Sequence, residues 1–404
     1  MKKKPLILAV DTSCDDTSAA VVRGNTILSN IIASQTELHK PYGGVFPTVA
    51  KQAHKENIAP TIKTALKRAS IALKNEINFK NKTNLTINNI DALAVTIGPG
   101  LAPALEVGLN HMKNLAIKTG KPLIAINHIE GHALSALAQR SARASKILKQ
   151  PEQLIKANKN NIKYPVLSIV VSGGHTQFIL FDKIGKYKIV GESIDDAAGE
   201  CLDKIGRMLN LGYPAGSTME KFARSGNPKT VTFPLPMTTT KSCNMSFSGL
   251  KTFARNYIED TYGKTSPNKQ QIYDFCASAQ YGVFRHIMYK LSKVLDKYPV
   301  EEIWLGGGVA ANIKLRQIIR KTIKEFEKNR EEKNQRFVSK NLNKNNSKTV
   351  TQNSKIIFRT PFTNKLCMDN AAMIGLVAGY KFGHGEFVKN LDNLERIPRW
   401  KINT

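Results

Sequence analysis

Two stretches of this 404-residue chain, far apart, follow one plan. Residues 6–10, LILAV, form an apolar run that ends at Asp11, passes through the polar segment TSCDDT and resumes as SAAVV. Residues 164–182, YPVLSIVVSGGHTQFILFD, repeat strand, small glycine-containing turn and strand. Short apolar runs bounded by turn residues read as buried strands. Their recurrence points to a duplicated α/β core with a ligand between the halves.

The rest of the chain fits around these two hairpins. Gly24 and Asn25 turn the opening strands toward TILSNIIAS, and residues 52–75 have helical periodicity with a lysine-rich face. NIDALAVTIGPG reads as a strand entering a glycine turn, LAPALEVGLNHMKNLAIKTG as a helix stopped at Gly120, and PLIAIN as a strand leading into a helix over residues 128–132. Residues 1–135 are therefore expected to form one α/β domain, and 136–164 a basic surface excursion. Residues 165–369 form the second domain, with a mostly helical insertion at 194–260, a long helix at 268–296 and a strand, VEEIWL, running into Gly306–Gly308. Residues 321–355 are rich in Lys, Asn, Glu and Ser, bury too little to fold alone, and are expected to be a mobile basic loop. A C-terminal segment around 370–395 is expected to pack back onto the first domain.

Charge bounds the partners. Sixty Lys and Arg against 31 acidic residues give a formal charge of +29, which attracts polyanions and makes nucleic acid the leading partner. Five scattered cysteines without a C-x-x-C pair argue against a cysteine zinc cluster or a disulfide framework and fit a reducing compartment. The start has too few apolar residues for a secretory segment, and nothing later approaches a membrane span, so a soluble, cytoplasmic protein with no membrane partner is expected.

Chemistry concentrates in a few places. NHIEGH puts His128 and His132 on one face of a helix, spaced to grip an ion or to form a buried structural pair. The spacing is similar to the metallopeptidase H-E-x-x-H, but Glu130 lies two residues after the first His, so the adjacent catalytic Glu is missing. VSGGHTQ (171–177), GPGLAPA (98–104) and LGGGVAAN (305–312) are turns whose backbone N–H groups can hold an anion. None is a Walker loop or a G-x-G-x-x-G, which disfavours a Walker-type ATPase and a standard dinucleotide domain. With DTSCDDT they favour a nucleotide cleft. Asp196, Glu200 and Asp203 are expected on one helical face. Asp369 and Asn370 precede an apolar helix, either as its N-cap or with a metal ligand at a helix start facing the cleft.

The ordered blocks DTSCDDTSAA, GPGL, NHIEGH, VSGGHTQ, GESIDDAAGECLDKIG, GYPAG, FSGLKT, GGGVAAN and MDNAAMIG cover nearly the whole chain. In this order they resemble the bacterial tRNA N6-adenosine threonylcarbamoyltransferase family, formerly labelled a glycoprotease. The resemblance implies an actin-like, sugar-kinase-like ATPase fold of two duplicated α/β domains with the active site in the cleft between them. It implies transfer of the L-threonylcarbamoyl group from threonylcarbamoyl-AMP to N6 of adenosine 37 in tRNAs reading codons that begin with A, with release of AMP. At matching positions it makes His128, His132 and Asp369 the ligands of one divalent metal ion, Fe2+ favoured and Zn2+ possible. Val170, Val171, Ser172, Gly173 and Gly174, with Asp203, Gly216 and Asn312, would hold the threonylcarbamoyl nucleotide. Asp11 is the candidate for accepting the amine proton or positioning the acceptor; it and Asp16 stand where the family commonly has glutamate. The implied partners are tRNA, a catalytically silent paralogue of the same fold (TsaB-like) and a small P-loop ATPase (TsaE-like). The alternatives are a metallopeptidase, a carbohydrate kinase of the same fold and a non-catalytic tRNA-binding paralogue; the three ligand positions argue against the last.

Overall fold

The opening hairpin forms as its alternation requires: β1 (Leu6–Asp11) pairs antiparallel with β2 (Asp16–Arg23), in register from Leu6 opposite Arg23 to Asp11 opposite Ser18. The computed structural model describes residues 4–73, 85–141, 162–263, 265–341 and 355–403. Strand β3 (Thr26–Ser34) extends the hairpin, while β4 (Ala92–Gly98) and β5 (Leu123–Asn127) add parallel on the other side of β1. β1 is buried along its whole length, as expected of a central strand covered on both faces. β6 (Gln139–Arg140) joins beside β3, so the first part of the expected 136–164 excursion is a sheet edge; residues 142–161 lie outside the described residues.

The second sheet repeats the first. β7 (Val166–Val171), β8 (Thr176–Lys183) and β9 (Lys186–Glu192) form the antiparallel meander, and β10 (Glu302–Gly306) and β11 (Ile357–Arg359) add parallel beside β7. The orders β5-β4-β1-β2-β3 and β11-β10-β7-β8-β9 correspond strand for strand. This is the duplicated α/β architecture of the actin-like, sugar-kinase-like fold. Helices α1 (Pro47–Leu73) and α2 (Ala102–Thr119) cover the outer face of the first sheet. The apolar face of α2, through Leu105, Leu109, Met112 and Ala116, is spent on that core.

Two short elements occupy the space between the sheets. α3 (His128–Leu134) and the apolar C-terminal helix Ala371–Gly383 share one core cluster with Ile7, Ala9, Ile126, Val170, Ile179 and Trp304, residues of both sheets. Close approach is built in. A Cβ at Gly131 would meet Met373 and Ile374 at 3.0 Å, and one at Gly306 would collide with the His132 carbonyl. Gly306 lets the end of β10 press against α3, tying the second sheet to the helix that carries the two histidines.

The second half carries α4 (Ala198–Met208), α5 (Ala215–Ala223), α6 (Ser248–Tyr262), α7 (Lys269–Lys297) and α8 (Ile313–Asn341), and the C-terminal helix Ala371–Gly383 between the sheets is α9. Residues 321–341, expected as the start of a mobile loop, instead continue α8. A helix needs one apolar stripe only. Ile319 and Ile323 are buried, Phe326 packs against the same core, and Lys321–Glu325 and Lys328–Glu332 sit at i,i+4 spacing on the wet side. The remainder of that expected loop, 342–354, lies outside the described residues.

Candidate active site

β1 delivers Asp11 to the cleft, 1% exposed, with one oxygen accepting from the Ser13 N–H at 3.1 Å. α3 begins at the same level. Asn127 caps it, accepting from the Ile129 and Glu130 N–H groups, so the helix starts at His128 and both imidazoles fall on one face. Asp369 comes from the chain just before α9. The cap of α9 is Asn370, whose side chain accepts from the Met373 N–H at 3.1 Å, leaving the Asp369 carboxylate for the histidines.

The three side chains converge. His132 Nε2 lies 3.1 Å and His128 Nε2 3.5 Å from Asp369 Oδ1, and the rings meet edge to face with centroids 4.7 Å apart. One donor atom from each of the three falls within 4.8 Å of the others. His128 Nδ1 faces Asp11 Oδ2 at 3.5 Å. Burial alone would depress the His128 pKa, but Asp369 and Asp11 outweigh it and push it up to about 10. Burial holds His132 below the usual imidazole range, and Asp369, despite its own burial, is held well below the usual carboxylate range by the histidines. The cluster attracts positive charge.

Glu130, between the two histidines, is engaged elsewhere. Tyr187 OH donates to Oε1 at 2.8 Å and Lys381 Nζ lies 3.5 Å from Oε2, so this carboxylate serves the packing of β9 and α9 against α3. That removes the remaining candidate for the general base of a metallopeptidase on this helix.

The second hairpin faces the cluster from the other half. The turn 172–175 is closed by the Ser172 N–H donating to the His175 carbonyl at 2.8 Å and the His175 N–H to Ser172 Oγ at 3.0 Å. Gly173 and Gly174 are exposed at its tip, and a Cβ at either would meet nothing within 4 Å. Val170 and Val171 bury their side chains in the cores on opposite faces of β7, so only their main chain is available to a ligand. His175 is half-buried; burial first, then His128 and His132, push its pKa down to about 4, which keeps it neutral beside the cluster.

The other expected nucleotide residues set helix starts. Asp203 Oδ1 accepts from the Ala215 and Gly216 N–H groups at 2.6 and 3.3 Å, and Oδ2 pairs with Arg207 Nε at 3.2 Å. Asn312 Oδ1 caps α8 through the Lys314 and Leu315 N–H groups, its Nδ2 donates to Gln280 at 2.7 Å, and the residue lines a cavity of about 350 Å3 with Glu220, Arg224 and Tyr281. Asp196 precedes α4 instead of lying on it, yet its carboxylate shares Lys204 with Glu200, at 3.1 and 2.7 Å, and reaches Lys251 at 2.5 Å, while Asp203 turns to Arg207. Sequence reasoning gave Asp195 no role, yet it gathers Ser246 Oγ, the Phe247 N–H and Ser248 Oγ at 2.5–2.8 Å and so joins FSGLKT to the start of the DDAAGE segment. The only signal for this pairing was the presence of both blocks.

Comparison with known proteins agrees with the geometry. The family model for TsaD, tRNA N6-adenosine threonylcarbamoyltransferase, matches residues 26–376. Proteins so named from Geotalea uraniireducens and Thermosipho africanus are 34% and 35% identical, over 99% and 98% of this chain and 97% and 100% of theirs. The one from Trichlorobacter lovleyi is 39% identical over 77% of this chain and 81% of its own. Among solved structures, T. kodakarensis HypF superposes with a TM-score of 0.54 at 13% identity, covering 98% of this chain and 50% of that one, which is a likeness of fold alone. No helix among the described residues is long and apolar enough to cross a membrane. With the histidine pair, the aspartate before α9 and the open glycine turn assembled between duplicated sheets, and with full-length relatives 34% and 35% identical, the chain belongs to the TsaD family of tRNA N6-adenosine threonylcarbamoyltransferases.

Proposed function

We propose that this chain transfers the L-threonylcarbamoyl group from threonylcarbamoyl-AMP to N6 of adenosine 37 in tRNAs reading codons that begin with A, releasing AMP. The observation that carries the reading is the convergence of His128, His132 and Asp369 at the junction of both sheets, opposite the open glycine turn. The donor set fits one divalent metal ion: two buried imidazoles whose Nε2 atoms face the Asp369 carboxylate, with one donor atom from each of the three within 4.8 Å of the others. Two borderline nitrogens and one hard oxygen suit either Fe2+ or Zn2+, and the family resemblance favours Fe2+. When bound, such an ion supplies Lewis-acid polarisation of the threonylcarbamoyl carbonyl.

The chain's own residues do the rest. The main chain of Val170, Val171 and Ser172 leads the Gly173 and Gly174 amides to the phosphate, where they stabilise charge on the leaving side. Asp203 fixes the Ala215 and Gly216 amides, and Asn312 fixes the start of α8, so both shape the nucleotide pocket while their side chains hold the frame. Asp11, almost fully buried and facing His128 Nδ1, orients that imidazole; its burial favours this role over direct proton acceptance. The charge of +29 suits tRNA, since phosphate contacts give affinity and orientation. A silent same-fold paralogue and a small P-loop ATPase are the expected partners.

The test supplies preformed threonylcarbamoyl-AMP, labelled in the threonine carbon, with unmodified tRNA, to the chain alone and with its partners, in parallel with His128→Ala. Label on adenosine 37 that disappears in the variant supports the reaction and the site together. No label in any combination, with tRNA binding intact, overturns the enzymatic reading.

A further inference from the structure

The lip of the cleft on the first half is the segment 35–46, QTELHKPYGGVF. It carries Leu38, Tyr42 and Phe46 at 50%, 56% and 46% exposure. Tyr42 and Phe46 already stack on each other, with centroids 4.8 Å apart and planes at 19°. Between them Gly43 and Gly44 leave open space, with nothing within 4 Å of a Cβ at either position, and Gly43 takes φ of 60°. Apolar rings displayed this way in water are costly unless something flat covers them.

The loop is wired to the site by a buried polar chain whose donors all run one way. The Phe46 N–H donates to His39 Nδ1 at 3.3 Å, so His39 Nε2 carries the proton and donates to Gln35 Oε1 at 3.3 Å. Gln35 Nε2 donates to His54 Nδ1 at 3.1 Å, and His54 Nε2 donates to the Cys14 carbonyl at 2.9 Å. His39, Gln35 and His54 are all fully buried, so the stacked rings are held in a fixed relation to the turn that follows Asp11. On the opposite lip Arg207, paired with Asp203, donates to the Gly43 carbonyl at 2.9 Å. A cavity of about 560 Å3 opens between Lys40 and Glu37 on one side and Tyr213, Pro214 and Ser217 on the other.

We propose that the stacked Tyr42–Phe46 pair is a platform on which an unpaired base of the tRNA anticodon loop stacks as adenosine 37 is delivered to the cleft. The inference rests on the tRNA reading above and deepens it. Single-stranded bases are recognised by stacking on exposed aromatic faces, whereas the phosphates meet the basic surface. Three exposed apolar side chains are also too few for a stable protein interface, which needs about 800 Å2 per partner.

The experiment uses the full chain and an anticodon stem-loop RNA with 2-aminopurine in place of an unpaired loop purine next to adenosine 37. Binding should quench its fluorescence in the wild type. Tyr42→Ala and Phe46→Ala, and also Tyr42→Leu, which keeps an apolar side chain without a ring, should lose the quench and weaken binding about 5- to 150-fold. Tyr42→Phe and Phe46→Tyr should restore both. The slope of log Kd against log salt should stay at the wild-type value in every variant, because no phosphate contact is removed. Wild-type quench and Kd in the alanine and leucine variants overturn the platform. So does unchanged RNA binding with lost binding of the paralogous or ATPase subunit, which would make the loop a protein-docking surface. Label transfer by the wild type is measured separately: an active wild type with unaffected variants sinks the platform alone, and an inactive one sinks the activity reading beneath it.

Discussion

Glu130→Gln separates a structural carboxylate from a catalytic one. Glu130 is 4% exposed, accepts from Tyr187 OH at 2.8 Å and faces Lys381 Nζ at 3.5 Å. Glutamine keeps the length and the acceptor for Tyr187 but deletes the charge opposite Lys381. Breaking a buried pair by removing one partner costs about 3–5 kcal/mol. Two features of the site reduce that figure. Burial raises the Glu130 pKa, against the pull of Lys381, so a neutral amide recovers part of the desolvation penalty. Lys381 also keeps the Ala125 carbonyl at 3.4 Å. The expected net loss is about 2 kcal/mol, a fall in Tm of roughly 2 °C. The assay is a urea melt, metal content of the purified protein, and single-turnover transfer below Tm. Transfer at near wild-type rate with lowered stability is the expected result. Abolished transfer in a folded variant that retains its metal would refute the reasoning and make Glu130 a catalytic group.

Stability should fall on the acid side because of His286. It is fully buried, and its Nε2 accepts from the Ser246 N–H at 3.2 Å; burial, then Lys290, hold its pKa down at about 4. The unfolded chain binds that proton first, so stability is intact above about pH 6.5 and is lost as pH falls from there toward 4, about 2 kcal/mol of it by pH 5, read as the wild-type loss in urea midpoint that His286→Gln lacks. His132→Ala should abolish stoichiometric metal binding by elemental analysis while leaving the fold intact by circular dichroism. Retained stoichiometric metal would remove His132 from the ligand set. Lys290→Met should cost about 2–4 kcal/mol by urea melt, because the fully buried ammonium donates to the Met237 and Ser242 carbonyls and to Thr240 Oγ1, and all three would lose their donor. Asn370→Ala should cost about 1–2 kcal/mol, with Asn370→Asp recovering only part of it, since the cap of α9 and the bond from Asn370 Nδ2 to the Met368 carbonyl are both removed and aspartate restores only the cap.

The duplicated hairpins were legible because period-two alternation and buried runs are local properties, and the two turns, residues 12–15 and 172–175, fall where the polar letters are. The histidine pair was legible for the same reason, being set by one turn of helix. Asp369 and Asn370 were ambiguous in sequence, because either can cap a helix; only the placement of α9 against α3 shows the division of labour between them. Asp203 and Asn312 were named from the resemblance; that Asp203 holds the Ala215 amide and Asn312 the Gln280 side chain could not be read from spacing, since those partners come from elements that meet only on folding. The helical run through residues 321–341 was missed because composition averages over faces, and one stripe with Ile319, Ile323 and Phe326 is diluted by lysines and glutamates. The His39–Gln35–His54 chain left no sequence signal beyond three polar residues in otherwise ordinary positions.

The placement of the metal ligands has a mechanical consequence. His128 and His132 lie on α3 and Asp369 at the start of α9, and both helices belong to the core shared by the two sheets, where Gly131 permits tight contact with α9 and Gly306 a contact with the His132 carbonyl too close for any side chain. Interiors packed to this density transmit displacement and do not absorb it. The groups at the cleft mouth are attached differently: the open glycines of the turn 172–175 project from a strand end, and the hydrogen bond from Arg207 to Gly43 that joins the lips is exposed, while the loop 35–46 is anchored through buried His39, Gln35 and His54. Entry of a nucleotide and of an RNA loop can therefore move the glycine turn and part the lips while the three ligands hold their spacing. A rigid centre inside an adaptable mouth suits a reaction in which two large substrates must be brought to one small electrophilic carbon.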